Sequence, residues 1–215
     1  MTADILQSIQ FAVSNEDKIK GSRFISMAAP VRSKEEAEQV IAQQRQHYHD
    51  ATHHCYAYRI GIGEEEYFRY SDAGEPSGTA GKPIYMAILG RQLTNIVLVV
   101  TRYFGGTKLG TGGLARAYAQ SAVSVLERAK VKSEYLTETY LLRFSYDLLH
   151  SVLNAVARSE SSIIASRYED SVVLKVAVRL GRVSAFKEQL VEQTAGKIEM
   201  ELVEDPKRGA GKKLI

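Results

Sequence analysis

The chain of 215 residues has no tryptophan, a single cysteine and a formal net charge of only +3. One cysteine, Cys55, excludes an internal disulfide and suits a reducing compartment. No apolar run approaches the roughly 18 to 20 residues that a membrane helix needs. The opening segment, MTADILQSIQ, lacks the basic start and long apolar core of a secretory signal. A charge of +3 is too small to announce a polyanion binder from totals alone. With 45% hydrophobic and 25% charged residues, the chain has the composition of a soluble globular protein. A cytoplasmic location with no membrane attachment is expected. The length allows one large domain or two small ones, each able to bury a core.

Periodicity organises the first half into mixed helices and strands. Ser33 followed by Glu36 fits a capping box, and Ala37, Val40 and Ile41 recur at helical spacing, which predicts a helix from Ser33 to about His47. His54 to Ile62 alternates as a strand, with Tyr67 to Tyr70 as its hairpin partner across a Gly63-Glu64 turn. Pro83 suits the first position of a short helix over Ile84 to Leu89. Asn95 to Arg102, NIVLVVTR, is a continuous β-branched run, the mark of a strand covered on both faces. A helix starting near Gly113 places Leu114, Ala117, Tyr118, Ser121, Ala122 and Val125 on one face and ends near Ala129.

After Lys132 the pattern restarts as strand, helix, two strands, helix, strand. The segments are Thr139 to Phe144, Leu148 to Arg158, Ser162 to Tyr168, Val172 to Arg179, Val183 to Gln193 and Lys197 to Val203. This is the β-α-β-β-α-β order of ferredoxin-like domains. The expected division is therefore a first domain over 1–132, a ferredoxin-like domain over 138–205 and a basic tail over 206–215. The boundary is set near Ser133 to Thr137, where no apolar periodicity holds. Residues 138–205 carry eight Lys or Arg against eleven Asp or Glu, whereas the tail PKRGAGKKLI adds four positive charges and no acid. The tail reads as a solvated end or as an electrostatic arm for a polyanion.

The most informative stretch joins the β-branched run to the following helix and holds five glycines in the nine residues from Gly105 to Gly113. A phosphate-binding P-loop needs Lys and then Ser or Thr directly after its last glycine, and Gly110 is followed by Thr111 instead. Gly110, Gly112 and Ala115 satisfy G-x-G-x-x-A, but no long parallel repeat follows to make a dinucleotide fold. What stands physically is that glycine lets a backbone approach a ligand closely, and that a helix start offers unpaired N–H groups to an anion. Arg102, Lys108 and Arg116 bracket those donors with positive charge. Elsewhere, His47, His49, His53, His54 and Cys55 crowd together at a spacing that matches no closed zinc pattern. Asp72 and Glu75 have two readings, an acid/base pair or turn geometry in which Asp72 accepts backbone N–H bonds. Cys55, in an apolar strand, reads as a buried thiol.

Four segments carry a family resemblance: KGSRFI from Lys20, DATHHCYAY from Asp50, SDAGEPSGTAGKP from Ser71 and TRYFGGTKLGTGGLARAY from Thr101. Together, in this order and across roughly residues 18 to 130, they resemble the Impact/YigZ family, and the second half resembles the small carboxy-terminal domain of its bacterial members. The resemblance implies an α+β fold: an amino-terminal βα domain similar to domain IV of elongation factor G, followed by the ferredoxin-like domain. It also implies a translation setting, because eukaryotic relatives act in translational control by competing for a regulatory protein. It singles out His54. Ala73 departs from the family pattern, in which an acidic residue or Asn follows Asp72, and this weakens any carboxylate cluster there.

Two functions are compatible with these residues. The leading expectation is a non-enzymatic protein of translation regulation that binds RNA or the ribosome, with a possible protein partner in translation control and no cofactor or metal. Gly105, Gly106, Gly110, Gly112 and Gly113 with Arg102, Lys108 and Arg116 would grip backbone phosphates, while Tyr103 and Phe104 stack or pack nearby. The alternative is a nucleotide- or phosphate-binding enzyme using the same loop, with Asp72 or Glu75 as general base.

Overall fold

A computed structural model of the chain describes residues 5–63 and 66–203. The expected basic tail and the Glu64 of the expected hairpin turn lie outside the described residues. Among the described residues the chain divides into two compact units, one of 6–133 and one of Ile5 with 134–203. Among the described residues, no helix is long and apolar enough to cross a membrane.

The first unit runs β1 (Ile5–Ile9), β2 (Val13–Ile19), β3 (Ser22–Pro30), α1 (Lys34–His47), β4 (His53–Ile60), β5 (Tyr67–Ser71), α2 (Gly81–Gly90), β6 (Ile96–Tyr103), α3 (Gly110–Arg128) and β7 (Val131–Tyr135). The first residue of β1 and the last two of β7 group with the second unit. Its main sheet has the order β2-β3-β6-β4-β5, and every neighbouring pair is antiparallel. The β-branched run forms β6 at the centre, where Ile96 to Arg102 are all buried. The alternation of a strand explains this. Ile96, Leu98 and Val100 face α2 and α3, packing with Ile84, Ile88, Leu114, Tyr118 and Val125. Val97 and Val99 face the other way, toward Ala37 and Ile41 of α1.

Local chemistry sets the helix ends. At α1, Ser33 Oγ accepts from the Glu36 N–H at 3.2 Å, and Glu36 Oε2 accepts from the Arg32 N–H at 2.7 Å, so the capping box closes one residue further out than the usual pairing. α2 begins at Gly81, which makes Pro83 its third residue and not its first. The first-turn N–H groups have no intrahelical partner, so proline is tolerated throughout that turn. α3 begins at Gly110, three residues before the expected start near Gly113.

The second unit contains β8 (Thr137–Phe144), α4 (Leu149–Arg158), β9 (Ser162–Tyr168), β10 (Val172–Arg179), α5 (Val183–Thr194) and β11 (Glu199–Val203). Its antiparallel sheet has the order β11-β8-β10-β9. Val172, Leu174, Val176 and Val178, every second residue of β10, are buried against Val152 and Val156 of α4 and Phe186 and Leu190 of α5. The β-α-β-β-α-β order and the α+β class follow the sequence reading. The boundary segment, where the sequence shows no apolar periodicity, holds the end of a strand: β7 ends at Tyr135 and pairs with β1, and none of its five residues is buried. A strand with no buried residue leaves no apolar signature to find.

Candidate functional site

β5 and β6 both run antiparallel to β4, so they finish at the same end of the sheet. The two loops singled out in the sequence, 72–80 after β5 and 104–109 after β6, therefore meet there. Their meeting point is a buried polar cluster. Arg102, in the last turn of the β6 zigzag, donates from Nη1 to Glu75 Oε1 at 2.6 Å and from Nη2 to Ser22 Oγ at 3.2 Å. Tyr118 of α3 donates its hydroxyl to the same Glu75 oxygen at 2.8 Å, and His53 Nε2 lies 3.9 Å from it. The Arg102 and Glu75 side chains are only 5% and 3% exposed. Arg102 Nε is buried without a hydrogen-bond partner.

This placement corrects the expectation for Arg102. The sequence reading makes it a surface cation beside Lys108 and Arg116, but its charge is compensated internally by Glu75. The reason is register: in β6, residue 102 has the parity of Val100 and Leu98, so its side chain faces the α2 and α3 layer. His53, its β4 register partner, has the same orientation. His54 faces the other side, where its Nδ1 is 3.2 Å from Thr101 Oγ1. Burial, followed by the nearby Arg45 charge, holds the His54 imidazole below its ordinary pKa.

The glycine loop lies over this cluster. Ser22 Oγ accepts from the Gly105 N–H as well as from Arg102, at 3.2 Å each, and so ties the loop to the buried pair. Gly105 touches the backbone of the β2–β3 turn so closely that a Cβ on it would fall 1.9 Å from the carbonyl carbon of Gly21. The protein itself therefore demands glycine at this position. Gly106 and Gly110 differ: both have positive φ, and nothing stands within 4 Å of where their Cβ atoms would be. Thr107 and Lys108 are exposed, as are Gly110 to Gly112 of the first turn of α3. That turn has no side-chain cap and no acidic residue. Arg116 is exposed and leans back over it, with Nη1 3.8 Å from where a Gly112 Cβ would sit. No carboxylate among the described residues pairs with Lys108 or Arg116. Tyr103 donates its hydroxyl to Asp50 Oδ1 at 2.7 Å, and the Arg23 guanidinium lies over its ring at 5.3 Å. Phe104 is exposed, with the Arg102 guanidinium 5.4 Å from its ring centre.

The neighbouring loop is held by Asp72. Its Oδ1 accepts from the N–H groups of Ala80 and Gly81 at 2.8 and 2.9 Å, and its Oδ2 from that of Gly78 at 2.9 Å. Asp72 thus supplies the cap that Ala80 cannot, from eight residues away. Partial burial works to raise its pKa, but these three N–H donors outweigh burial and hold the carboxyl below its ordinary range. Both oxygens are committed to backbone, so the turn-geometry reading of Asp72 matches the contacts seen. Ala73, the departure from the family pattern, has a φ of 45°. Asn and Asp tolerate this left-handed conformation better than other side chains, so either would sit with less strain than Ala at this position.

Cys55 donates its thiol to the Asp72 carbonyl at 2.9 Å, and burial pushes its pKa up to about 12. A thiol so hard to ionise is no nucleophile. Among the described residues, no three His, Cys, Asp or Glu side chains gather as a metal site. Sequence reasoning missed His53, Ser22 and Tyr118 as members of the cluster. The usable signal was strand parity, which puts His53, Cys55 and Arg102 on one face once β4 and β6 are adjacent.

Comparison with known proteins agrees with this architecture. The Impact N-terminal domain matches residues 20–126, and a domain of unknown function (DUF1949) matches residues 142–197. The chain is 33% identical over 190 residues to the IMPACT family member YigZ of Escherichia coli, covering 88% of this chain and 93% of that protein. It is 35% identical to the IMPACT family member YvyE of Bacillus subtilis, covering 88% of this chain and 87% of the relative. A solved structure titled as that of a hypothetical protein superposes with a TM-score of 0.69 at 32% identity, covering 94% of this chain and 98% of the other. With likeness across both units and nearly the whole length of these relatives, the chain belongs to the IMPACT family.

Proposed function

We propose that the chain is a non-enzymatic RNA- or ribosome-associated protein of translation regulation that holds a polyanion backbone on its glycine loop. The observation that carries this reading is the uncapped start of α3. The first N–H groups of a 19-residue helix emerge at Gly110 to Gly113 in an exposed loop, with no acid in the first turn. Lys108 and Arg116 stand beside them with no acidic partner among the described residues. Aligned peptide dipoles make such an end attractive to phosphate, and the glycines let a phosphate reach the N–H groups. The enzyme reading lacks a free base: Asp72 is consumed by three backbone N–H groups, and Glu75 is buried against Arg102 and Tyr118. The test is titration of a single-stranded RNA at several salt concentrations. Replacing Lys108 and Arg116 by Gln should weaken binding for all sequences alike and flatten the salt slope by about 0.7 for each phosphate no longer neutralised. An unchanged slope, or a clear thermal shift with ATP or GTP in its place, overturns the reading.

A further inference from the structure

The edge strand β5 carries an aromatic surface that the glycine loop does not use. Phe68 and Tyr70 project toward α2, where they meet Tyr85. The three rings lie in nearly parallel planes: Phe68 to Tyr85 at 4.8 Å and 19°, Tyr70 to Tyr85 at 5.8 Å and 27°, and Phe68 to Tyr70 at 6.5 Å and 13°. Tyr85 is buried beneath, yet Phe68 and Tyr70 remain 48% and 41% exposed. Met86, the next residue of α2, is also exposed. On the other side of β5, Tyr67 packs on Tyr58 and is 43% exposed, and Arg69 pairs with Glu38 at 3.0 Å. Rings are thus open to water on both sides, but only the α2 side gathers three of them in one stack, an unfavourable arrangement unless something covers them.

From this shelf we infer that Phe68, Tyr70 and Tyr85 form a stacking platform for the bases of single-stranded nucleic acid whose backbone is held at the glycine loop of the same unit. The inference rests on the proposed function above. Charge favours this occupant. Lys82, exposed in the first turn of α2, stands one helical turn from Tyr85 and Met86 and has no acidic partner among the described residues. Glu66, whose Oε1 accepts from the Tyr85 hydroxyl at 3.4 Å, is compensated by Arg59 at 2.7 Å. Topology permits it too. Register sets Tyr70 level with Ala57 and Leu98, and Phe68 level with Arg59 and Ile96, so the rings lie roughly 20–27 Å back along the sheet from the glycine loop and two strand spacings, roughly 10 Å, across it. Several nucleotides of extended single strand can span that distance from Lys108 past Lys82 and set their bases on the rings. Every base offers a π-face, so the platform would be tolerant of sequence.

The experiment compares a uridine oligomer with an abasic oligomer of equal length, which keeps the phosphates and removes the bases, on the wild-type chain and on Phe68→Leu/Tyr70→Leu. Leucine keeps apolar bulk at these half-exposed positions while removing the flat face. Wild type should bind the uridine oligomer roughly tenfold more tightly than the abasic one, or better, the scale of one stacked base. The double variant should lose that preference with an unchanged salt slope. Ultraviolet crosslinking of wild type to the uridine oligomer, which needs no variant, should attach to the peptides holding Phe68, Tyr70 or Tyr85. Equal affinity for both oligomers, or crosslinks confined to the glycine loop, overturns the platform and leaves the backbone reading standing. It is also the result expected if a protein covers the rings. Absence of RNA binding by wild type overturns both.

Discussion

Replacing Arg102 by Met separates a structural cation from a phosphate contact. In the folded chain the change removes the guanidinium from Glu75 Oε1 and Ser22 Oγ, leaving a carboxylate that is only 3% exposed without its main partner. Breaking a buried pair from one side costs about 3–5 kcal/mol. Glu75 keeps the Tyr118 hydroxyl at 2.8 Å and has His53 Nε2 at 3.9 Å, which argues for the lower end, about 3 kcal/mol. For a unit of this size that lowers the Tm by roughly 10 °C. Denaturant unfolding, with the transition of the first unit identified by hydrogen exchange of β6, measures the loss. Adding Glu75→Gln to Arg102→Met should recover part of it, because the stranded charge is then gone, and the double-mutant cycle gives the coupling. RNA titration is the second readout. A buried, compensated cation releases no counterion, so the folded variant should keep the wild-type salt slope. A destabilisation under about 1 kcal/mol together with a flattened slope would refute the argument and return Arg102 to the surface set.

Further outcomes follow from the loop after β5. Ala73 has a φ of 45°, so Ala73→Gly or Ala73→Asn should raise stability by about 0.5–1 kcal/mol, read as a higher denaturation midpoint at constant slope; a loss would show that the methyl group packs usefully. The folded-state pKa of Asp72 is depressed, so its contribution is fully present above the unfolded value of about 3.9 and fades as pH falls through the folded value. Stability measured from pH 7 down to pH 2 should therefore drop less steeply in Asp72→Asn than in wild type, with the two curves converging at the acid end. Parallel curves would mean that the three N–H bonds do not favour the ionised form.

The sequence by itself determined the elements whose signal is local. The continuous β-branched run of β6 announced a doubly covered strand, Ser33 and Glu36 announced the start of α1, and the order of strand- and helix-like segments after Lys132 announced the βαββαβ unit. The four motifs carried the family. Tertiary structure alone decided what those motifs do. Arg102 meets Glu75 across 27 positions of chain, beyond any local pattern, and Asp72 reaches the N–H of Ala80 eight residues on within its own motif, a contact that spacing alone does not reveal. It also decided why each glycine is needed: Gly105 because the Gly21 backbone lies against it, Gly106 because its φ is positive. β7 escaped notice because a strand with every residue at least partly exposed has no hydrophobic period. The aromatic shelf escaped for a related reason: alternation places Phe68 and Tyr70 on one face of β5, but only the packing of α2 beside an edge strand shows that this face stays half open to water. Local sequence encodes what a residue prefers, while burial and charge compensation depend on residues far along the chain that folding brings within a few ångströms.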